Sequence, residues 1–297
     1  MKAGRFLFFI AMLMSFIMPS RAAYACSAWS AVGEKAKDGK TLIAKNWDFG
    51  DTNFAEFRVS KQEGKYAFLG QFAYSEKNPK SPHDLDAGIN EKGLAMVTTA
   101  AASVPRKERI GAGGCVNHVL TTFHSVDGAL ADREHYKRYA PANFVMADKH
   151  KTAWIEIAPE KKINIKVVDN GVLYHTNHYL SPELVVFNKL DSSSSDGRLR
   201  RFHELMDDHK GPFSFDEFIE MSKGQNPPPN NGLWRVGSPT NHERTLATFV
   251  AEIPREGSSH VWVRTATKGD PIKHGEVVLD EHFWRKHQHW DPIRLAE

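Results

Sequence analysis

One cysteine stands where a processing event would give it unusual chemistry. Cys26 directly follows Ala23-Tyr24-Ala25, a small-x-small pattern of the kind that signal peptidase accepts. A cysteine at a mature N-terminus carries a thiol and an α-amino group, and the amino group has a reference pKa of ~7.7–8.0. It can take the thiol proton at neutral pH and later return it to a leaving amine. The alternative is a buried structural cysteine that happens to lie near the cut.

Residues 1–25 have the features of an export signal. Two positive charges in Met1–Arg5 precede the apolar run Phe6–Met18, and Pro19 ends that run. The run is shorter than the ~20 residues that a membrane-spanning helix needs. We therefore expect signal peptidase to remove residues 1–25, leaving an exported (periplasmic or secreted) domain over residues 26–297 without stable membrane insertion. A retained N-terminal anchor helix is the alternative.

The net charge of the 297-residue chain points to export and not to a partner. All of the formal +3 comes from Lys2, Arg5 and Arg21, which precede Cys26. Without them the 39 basic residues become 36, equal to the 36 acidic ones. A neutral mature chain gives no global field that would favour nucleic acid or an acidic membrane.

Cysteine and histidine spacing predicts neither a metal site nor another cofactor. The two cysteines form no CxxC pattern, and the histidine pairs 175/178 and 287/289 have no suitable carboxylate or cysteine partners in the sequence. After export a Cys26–Cys115 disulfide is possible and would remove the proposed nucleophile. The glycine-rich stretch 111–114 lacks the Lys-Ser/Thr of a phosphate loop, so we expect a flexible substrate-side loop there.

The elements that must position Cys26 are mostly short strands. Alternating runs bounded by turn residues predict strands at 27–32, 41–46, 54–60, 65–72, 87–90, 94–99, 143–148, 152–158, 163–168, 172–176, 245–253, 260–267 and 276–280. Helical periodicity predicts helices at 115–139, 196–208 and 214–223, the last with a capping box of Ser214 and Glu217. The segment 223–232 is predicted to be a loop, and the tail 283–290 to be packing and surface. This order suits a pair of packed sheets with helices outside.

The first predicted hairpin also contains a carboxylate, Asp48, that could act together with Cys26. Asp38-Gly39 lies between its two strands and is a typical hairpin turn. The hairpin would fold Asp48 back beside Cys26, where a carboxylate can hold and orient the α-amino group. The alternative for Asp48 is an ordinary strand-end or turn residue.

Several short segments occur in an order that is characteristic of one enzyme family. They are 26–29 (CSAW), 38–40 (DGK), 46–49 (NWDF), 88–94 (GINEKGL), 175–180 (HTNHYL), 195–201 (SDGRLRR) and 245–253. The ordered set resembles the acyl-coenzyme A:6-aminopenicillanic acid acyltransferase family, peptidase family C45. That family is related to the choloylglycine hydrolases and more distantly to the C69 dipeptidases, all of them N-terminal nucleophile (Ntn) hydrolases.

The resemblance implies a fold and a set of roles. The fold is an α+β, four-layer αββα sandwich of two packed, mostly antiparallel sheets. Cys26 would be the nucleophile and, through its amine, the base, while Asp48 would orient that amine. Asn177 would offer its side-chain amide to the oxyanion together with a backbone N–H.

The resemblance also implies residues on the substrate side, and it has gaps. Asn46 is expected to bind substrate, and either Arg198, in the S-x-x-R pattern, or Arg244, before the late strand, is expected to support the site. Lys45 stands where bile-salt hydrolases have an arginine, and lysine cannot form the same fork of bonds. By simple counting, Ala100 replaces a second oxyanion-side asparagine. Both departures weaken a bile-salt assignment.

These features together predict an exported cysteine Ntn hydrolase. Its small-molecule substrate would be a linear amide, such as an acyl-amino acid, an acyl-amine or a small peptide-like compound, cleaved through a thioester on Cys26. Three alternatives remain open: an acyltransferase that uses the same thioester, a C69-type dipeptidase, and a non-catalytic binding protein anchored by a lipid on Cys26.

Overall fold

The computed structural model describes residues 25–226, 231–239 and 241–297. The predicted export signal lies outside these residues, except for its last residue, Ala25, which is already part of a strand. No helix in the described part of the chain is long and apolar enough to cross a membrane.

Thirteen strands form two antiparallel sheets within the described residues. They are β1 (Ala25–Val32), β2 (Thr41–Gly50), β3 (Asn53–Ser60), β4 (Phe68–Ser75), β5 (Asp84–Asn90), β6 (Ala95–Ala100), β7 (Ala142–Ala147), β8 (Thr152–Ala158), β9 (Lys162–Val168), β10 (Gly171–His175), β11 (Glu243–Ile253), β12 (Ser259–Thr265) and β13 (Lys273–Leu279). The six-stranded sheet has the order β10-β1-β2-β11-β12-β13, and β3 to β9 follow one another in the seven-stranded sheet.

Six helices lie among the described residues. They are α1 (Cys115–Thr122), α2 (Val126–Ala131), α3 (Arg133–Tyr136), α4 (Ser193–Phe202), α5 (Phe215–Ser222) and α6 (Glu281–Lys286). Five of them, α1 to α5, cover the outer faces of the two sheets, while α6 packs beside β13 against the apolar cluster between the sheets. A π-helical turn, His203–Asp207, extends α4. The predicted capping box is present, because Ser214 accepts a bond from the backbone N–H of Glu217 and the Glu217 side chain accepts one from Ser214.

One helix prediction was wrong. The single helix predicted over 115–139 is three short helices, because Phe123 has an extended backbone and Ser125 begins a new helix by accepting a bond from the N–H of Gly128. The tail 283–290 was predicted to be packing and surface, and its first residues belong to α6, which Asp280 caps through the N–H of Phe283. Side-chain caps thus mark the starts of α2 and α6, which apolar periodicity did not indicate.

Three apolar clusters show the layering. The inner cluster joins both sheets and includes Ala28, Phe249 and Val145. A second cluster packs α1–α3 on the seven-stranded sheet, and a third packs α4 and α5 on the six-stranded sheet through Trp29 and Phe218. Since both faces of each sheet are covered, β1 is buried along its whole length. This is the predicted αββα sandwich.

The first hairpin forms as predicted. Strands β1 and β2 pair antiparallel, and the turn residues Asp38 and Gly39 have φ angles of 59° and 66°. Glycine adopts this left-handed region freely and aspartate tolerates it, which explains why Asp-Gly turns favour hairpins. The hairpin sets the register that places Asp48 near Cys26.

Candidate active site

Cys26 lies at the start of β1, against β2. In this register Ala25 faces Asp48, and Cys26 faces Trp47. The Cys26 side chain belongs to the inner apolar cluster and is 4% exposed. The backbone of Asp48 hydrogen-bonds to its thiol. The predicted proximity of Asp48 to Cys26 therefore follows from the pairing of two neighbouring strands.

The Asp48 carboxylate lies in a buried polar cluster on the other face of β2. Its Oδ1 accepts a hydrogen bond of 2.7 Å from the Thr245 hydroxyl. Its Oδ2 is buried, and no hydrogen bond to it is found among the described residues. Burial raises the pKa of Asp48 to about 6, while the charges of Arg235 and Arg198 oppose that rise. The site thus keeps one carboxylate oxygen available for a cationic neighbour.

Asn177, directly after β10, touches the backbone of Cys26. Its Oδ1 accepts a bond of 2.8 Å from the Cys26 N–H and one of 2.9 Å from Arg198 Nη2. Since a guanidinium group can only donate, the atom facing it must be the amide oxygen. Asn177 Nδ2 donates at 2.9 Å to the carbonyl of Ala100, and its second N–H remains for another acceptor. Ala100 therefore holds Asn177 in place through its backbone.

Helix α4 explains the spacing of the S-x-x-R pattern. Ser195 and Arg198 lie three residues apart, on one face of the helix, and both contact Asn177. The Ser195 hydroxyl accepts a bond of 2.7 Å from the Asn177 N–H. Arg198 also donates to the Cys26 carbonyl and, at 2.9 Å, to the Ser27 hydroxyl. One helical turn thus fixes both the backbone of Cys26 and the side chain of Asn177.

The two candidate arginines occupy different places. Arg198 is fully buried, and burial lowers its pKa to about 10. Arg244 is half-buried on β11, opposite Phe49. Among the described residues it is neither a cavity-lining group nor hydrogen-bonded to Cys26. The geometry therefore joins Arg198, and not Arg244, to Cys26.

Asn46 differs from the prediction that it binds substrate. It is fully buried, and Nδ2 donates to the carbonyls of Ser222 at 2.8 Å and Leu233 at 2.7 Å. Its Oδ1 accepts a bond of 2.7 Å from Thr248. Both donors of the amide are used within the protein, and Asn46 is absent from the described cavity wall. Its role is to connect β2 with β11, α5 and the following loop.

Two charged partners near Cys26 were not predicted. Lys45 is fully buried and donates to Asp86 Oδ1 at 2.7 Å, and its charge lowers the pKa of the thiol. Arg235 is also fully buried, with Nη1 at 2.8 Å from Glu243 Oε2 and 3.9 Å from Asp48 Oδ2. Neither Arg235 nor Glu243 stands out in the sequence, because their pairing depends on the loop before β11.

A cavity of about 410 Å³ opens beside the thiol. Apolar side chains such as Trp47 and Phe144 line part of it, and Asp84, Asp86 and Arg109 line the rest. The stretch 112–114 contributes to the wall, which agrees with its predicted substrate-side position. Cys115 lines the same cavity, but both cysteines are free thiols.

The thiol needs help to ionise. Burial raises the pKa of Cys26 to about 11; Lys45 opposes the rise, whereas Asp86 and Asp48 add to it. At neutral pH the buried thiol is therefore protonated, and a base must take its proton for attack. In the intact chain the Cys26 nitrogen is a peptide N–H and cannot act as that base.

The histidines near Asn177 each contact one carboxylate, a pairing that the sequence did not indicate. His175 Nε2 lies 2.9 Å from Glu156, and His178 Nε2 lies 3.2 Å from Asp196. The potential metal-ligand group found within the described ranges is elsewhere and comprises His118, Asp132 and His135, with donor atoms within 4.8 Å of one another.

Comparison with known families identifies the chain. The family model for acyl-coenzyme A:6-aminopenicillanic acid acyl-transferase matches residues 35–266, most of its length. The chain belongs to this family. The match begins after Cys26, so the assignment of the nucleophile depends on the geometry of the site and not on the family match.

A solved structure has the same fold as this family member. It is a variant of conjugated bile acid hydrolase from Clostridium perfringens, 14% identical, with a TM-score of 0.51 over 84% of this chain and 92% of that chain. A search of curated proteins finds no match. Family and fold together support an Ntn-type amide hydrolase or acyltransferase.

Proposed function

We propose that this chain is an exported cysteine Ntn hydrolase that cleaves a linear amide through a thioester on Cys26. The proposal rests on two contacts of Cys26, one through its side chain and one through its backbone. The Cys26 side chain lines the cavity, while its backbone nitrogen lies 2.8 Å from Asn177 Oδ1. A substrate carbonyl in the cavity would therefore meet the thiol beside the atom that becomes the base.

The reaction follows from the chemistry of a free N-terminal cysteine. Cleavage after Ala25 turns the Cys26 nitrogen into an α-amine, which takes the thiol proton. The sulfur attacks the amide carbon, and the C–N bond breaks as the α-ammonium returns the proton to the leaving amine. Water then attacks the thioester and gives its proton to the α-amine, and the acid leaves with restoration of the thiol.

The surrounding groups have matching roles in this scheme. The α-ammonium would keep Asn177 Oδ1 as an acceptor and would lie near Oδ2 of Asp48, which has Arg235 at 3.9 Å but no hydrogen bond among the described residues. The second N–H of Asn177 Nδ2 would stabilise the oxyanion, a type of contact whose removal costs ~10²–10³ in rate. Arg198 would be a positioning residue, since it holds the Cys26 carbonyl and Asn177.

Processing would couple activity to export. Ala25 is buried, with 5% exposure, and pairs with Asp48, so its removal would free space next to the new amine. Intact-mass measurement of the exported protein tests this step. A mass that begins at Cys26 supports it, a retained residue 25 refutes it, and added diacylglycerol would indicate the lipid anchor instead.

The thioester can be tested directly with Cys26→Ala. We expect loss of amide turnover and loss of the acyl adduct that mass spectrometry detects after rapid acid quenching. Cys115→Ala is the matched control, because Cys115 is the other thiol of the cavity and should leave the adduct on Cys26. Turnover that survives in the Cys26→Ala variant would refute the mechanism.

Acyl transfer is the second candidate, favoured by the family to which the chain belongs. The same thioester would react with an amine in place of water. Added acceptor amines should then divert product from free acid to a new amide at a constant rate of thioester formation. A parallel screen of acyl-amino acids against dipeptides separates both candidates from a C69-type dipeptidase.

A further inference from the structure

The cavity wall contains more acidic than basic charge along β5. Asp84 and Asp86 are two residues apart, and both line the cavity. Lys45 donates to the Asp86 carboxylate at 2.7 Å and to the Asp86 carbonyl at 3.1 Å. Among the described residues, the Asp84 carboxylate accepts only the adjacent Leu85 N–H, at 2.9 Å. One carboxylate of the pair therefore has no bonded cation.

The other basic groups of the cavity do not form an ion pair with Asp84. Arg109 lines the cavity, but its guanidinium donates to the carbonyls of Val104 at 2.8 Å and Ala102 at 3.0 Å. His83 also lines it and stacks obliquely against Phe49. Asp84 is thus an exposed carboxylate of the cavity wall, and no cation is bonded to it among the described residues.

We propose that Asp84 recognises a cationic group, such as a primary ammonium, on the amide substrate. This inference rests on the proposed function, and it adds the substrate class. An ammonium placed against Asp84 would form a charge-assisted hydrogen bond to a carboxylate that is otherwise bonded only to a backbone N–H. A carboxylate or sulfonate in the same place would be repelled by Asp84, whereas Lys45 balances the charge of Asp86.

The electrostatics of the wall agree with this assignment. Desolvation and the neighbouring charge of Asp86 raise the pKa of Asp84, and the N–H of Leu85 and Lys45 oppose the rise. A bound ammonium would supply the missing favourable charge and keep Asp84 ionised. A neutral substrate would leave this exposed carboxylate with only water and the Leu85 N–H as partners.

Matched substrate pairs test the proposal on the purified, processed protein. In one pair hexanoic acid is joined to 1,5-diaminopentane or to hexylamine, which places the ammonium on the leaving side. In the other, 6-aminohexanoyl and heptanoyl anilides place it on the acyl side. For at least one pair we expect kcat/KM to be about 10- to 100-fold higher with the cationic member. Asp84→Asn should reduce that ratio to near one. If the Asp84→Asn protein does not fold, Asp84→Ser is measured in its place.

The control is Asp270→Asn, which removes an exposed carboxylate outside the cavity wall and should keep the ratio. Equal rates within both pairs, or a ratio that Asp84→Asn leaves unchanged, would overturn the proposal. Calorimetric titration of the Cys26→Ala protein with the same amides separates the two inferences. If the wild type cleaves no amide but Cys26→Ala binds the cationic ligands more tightly in an Asp84-dependent way, the proposed function fails and the recognition by Asp84 stands. If Cys26→Ala shows no preference for the cationic ligands, the recognition by Asp84 is overturned.

Discussion

Replacing Arg198 with methionine tests the coupling between the buried arginine and Cys26, the proposed nucleophile. Methionine has a similar length and no charge, so the variant removes three hydrogen bonds, to the Cys26 carbonyl, the Ser27 hydroxyl and Asn177 Oδ1. It also removes one of the two arginine charges that hold down the pKa of Asp48. The two effects act on different measurable quantities.

The loss of hydrogen bonds should lower stability and rate. Three buried acceptors would lose a charged donor, and removing one partner of a buried charged network costs about 3–5 kcal/mol of the free energy of unfolding. A domain with the usual 5–15 kcal/mol can remain folded after that loss. Since Asn177 would no longer be fixed, we expect kcat to fall about 10²-fold.

The loss of charge should shift the pH profile. The pKa of Asp48 is already raised to about 6, and without Arg198 it rises further. The proposed mechanism needs the carboxylate, so activity is lost as pH falls through this pKa. In the processed wild type the new α-ammonium would lower this pKa, so the part of the acid limb of kcat/KM that depends on Asp48 should lie below pH 6, and it should move to higher pH in the Arg198→Met variant.

The assay is kcat/KM on one amide from about pH 5 to about pH 9, with urea unfolding of the same samples. Arg200→Met, on the exposed side of the same helix, is the control and should retain the wild-type profile. A folded Arg198→Met protein whose acid limb stays at the wild-type pH would refute the proposed link between Arg198 and Asp48.

Three further changes have defined outcomes. Asn46→Ala should lower the free energy of unfolding by about 2–4 kcal/mol in urea, with little change in KM, because three buried hydrogen bonds are lost away from the cavity. Lys45→Met should slow alkylation of Cys26 by iodoacetamide near neutral pH, since it removes the cation that lowers the thiol pKa; faster alkylation would contradict this. Gly111→Ala should raise KM about 10-fold, because the added Cβ would lie 2.4 Å from a backbone nitrogen of the cavity wall. Gly113→Ala is the control, because a Cβ at that position would have no atom within 4 Å.

The fold was predictable where short-range rules act. The Asp38-Gly39 turn, the alternating strands and the Ser214 cap depend on residues close in sequence, and each forms as predicted. The order of the strands within each sheet depends instead on residues that are far apart in the sequence. Ala28 pairs with His175, far along the chain, and no local pattern specifies that partner. The order of the elements suggested two packed sheets with helices outside, and the resemblance to a known family added the four-layer sandwich.

The candidate site likewise contains residues that the sequence indicates and residues that only the folded structure shows. Cys26 and Asp48 are brought together by one hairpin, and Asn177 and Arg198 by short motifs, so sequence reasoning reached all four. The Lys45–Asp86 pair was out of reach, because a buried lysine in a strand gives no sign of which carboxylate on the opposite sheet will receive it. The charge of the cavity wall could be seen only after the two sheets were packed.

At the site, the intact chain and the proposed mature enzyme differ in the Cys26 nitrogen. Before cleavage this nitrogen is a neutral donor to Asn177, and the thiol, with a pKa of about 11, is protonated at neutral pH. Cleavage would add a group that is cationic when protonated, next to a buried carboxylate oxygen of Asp48 without a hydrogen-bond partner among the described residues. A nearby cation lowers the pKa of a thiol and of a carboxyl group alike. The cut that creates the base would therefore also favour the charged forms of Cys26 and Asp48, so a chain that keeps residue 25 should be inactive even with every side chain of the site in place.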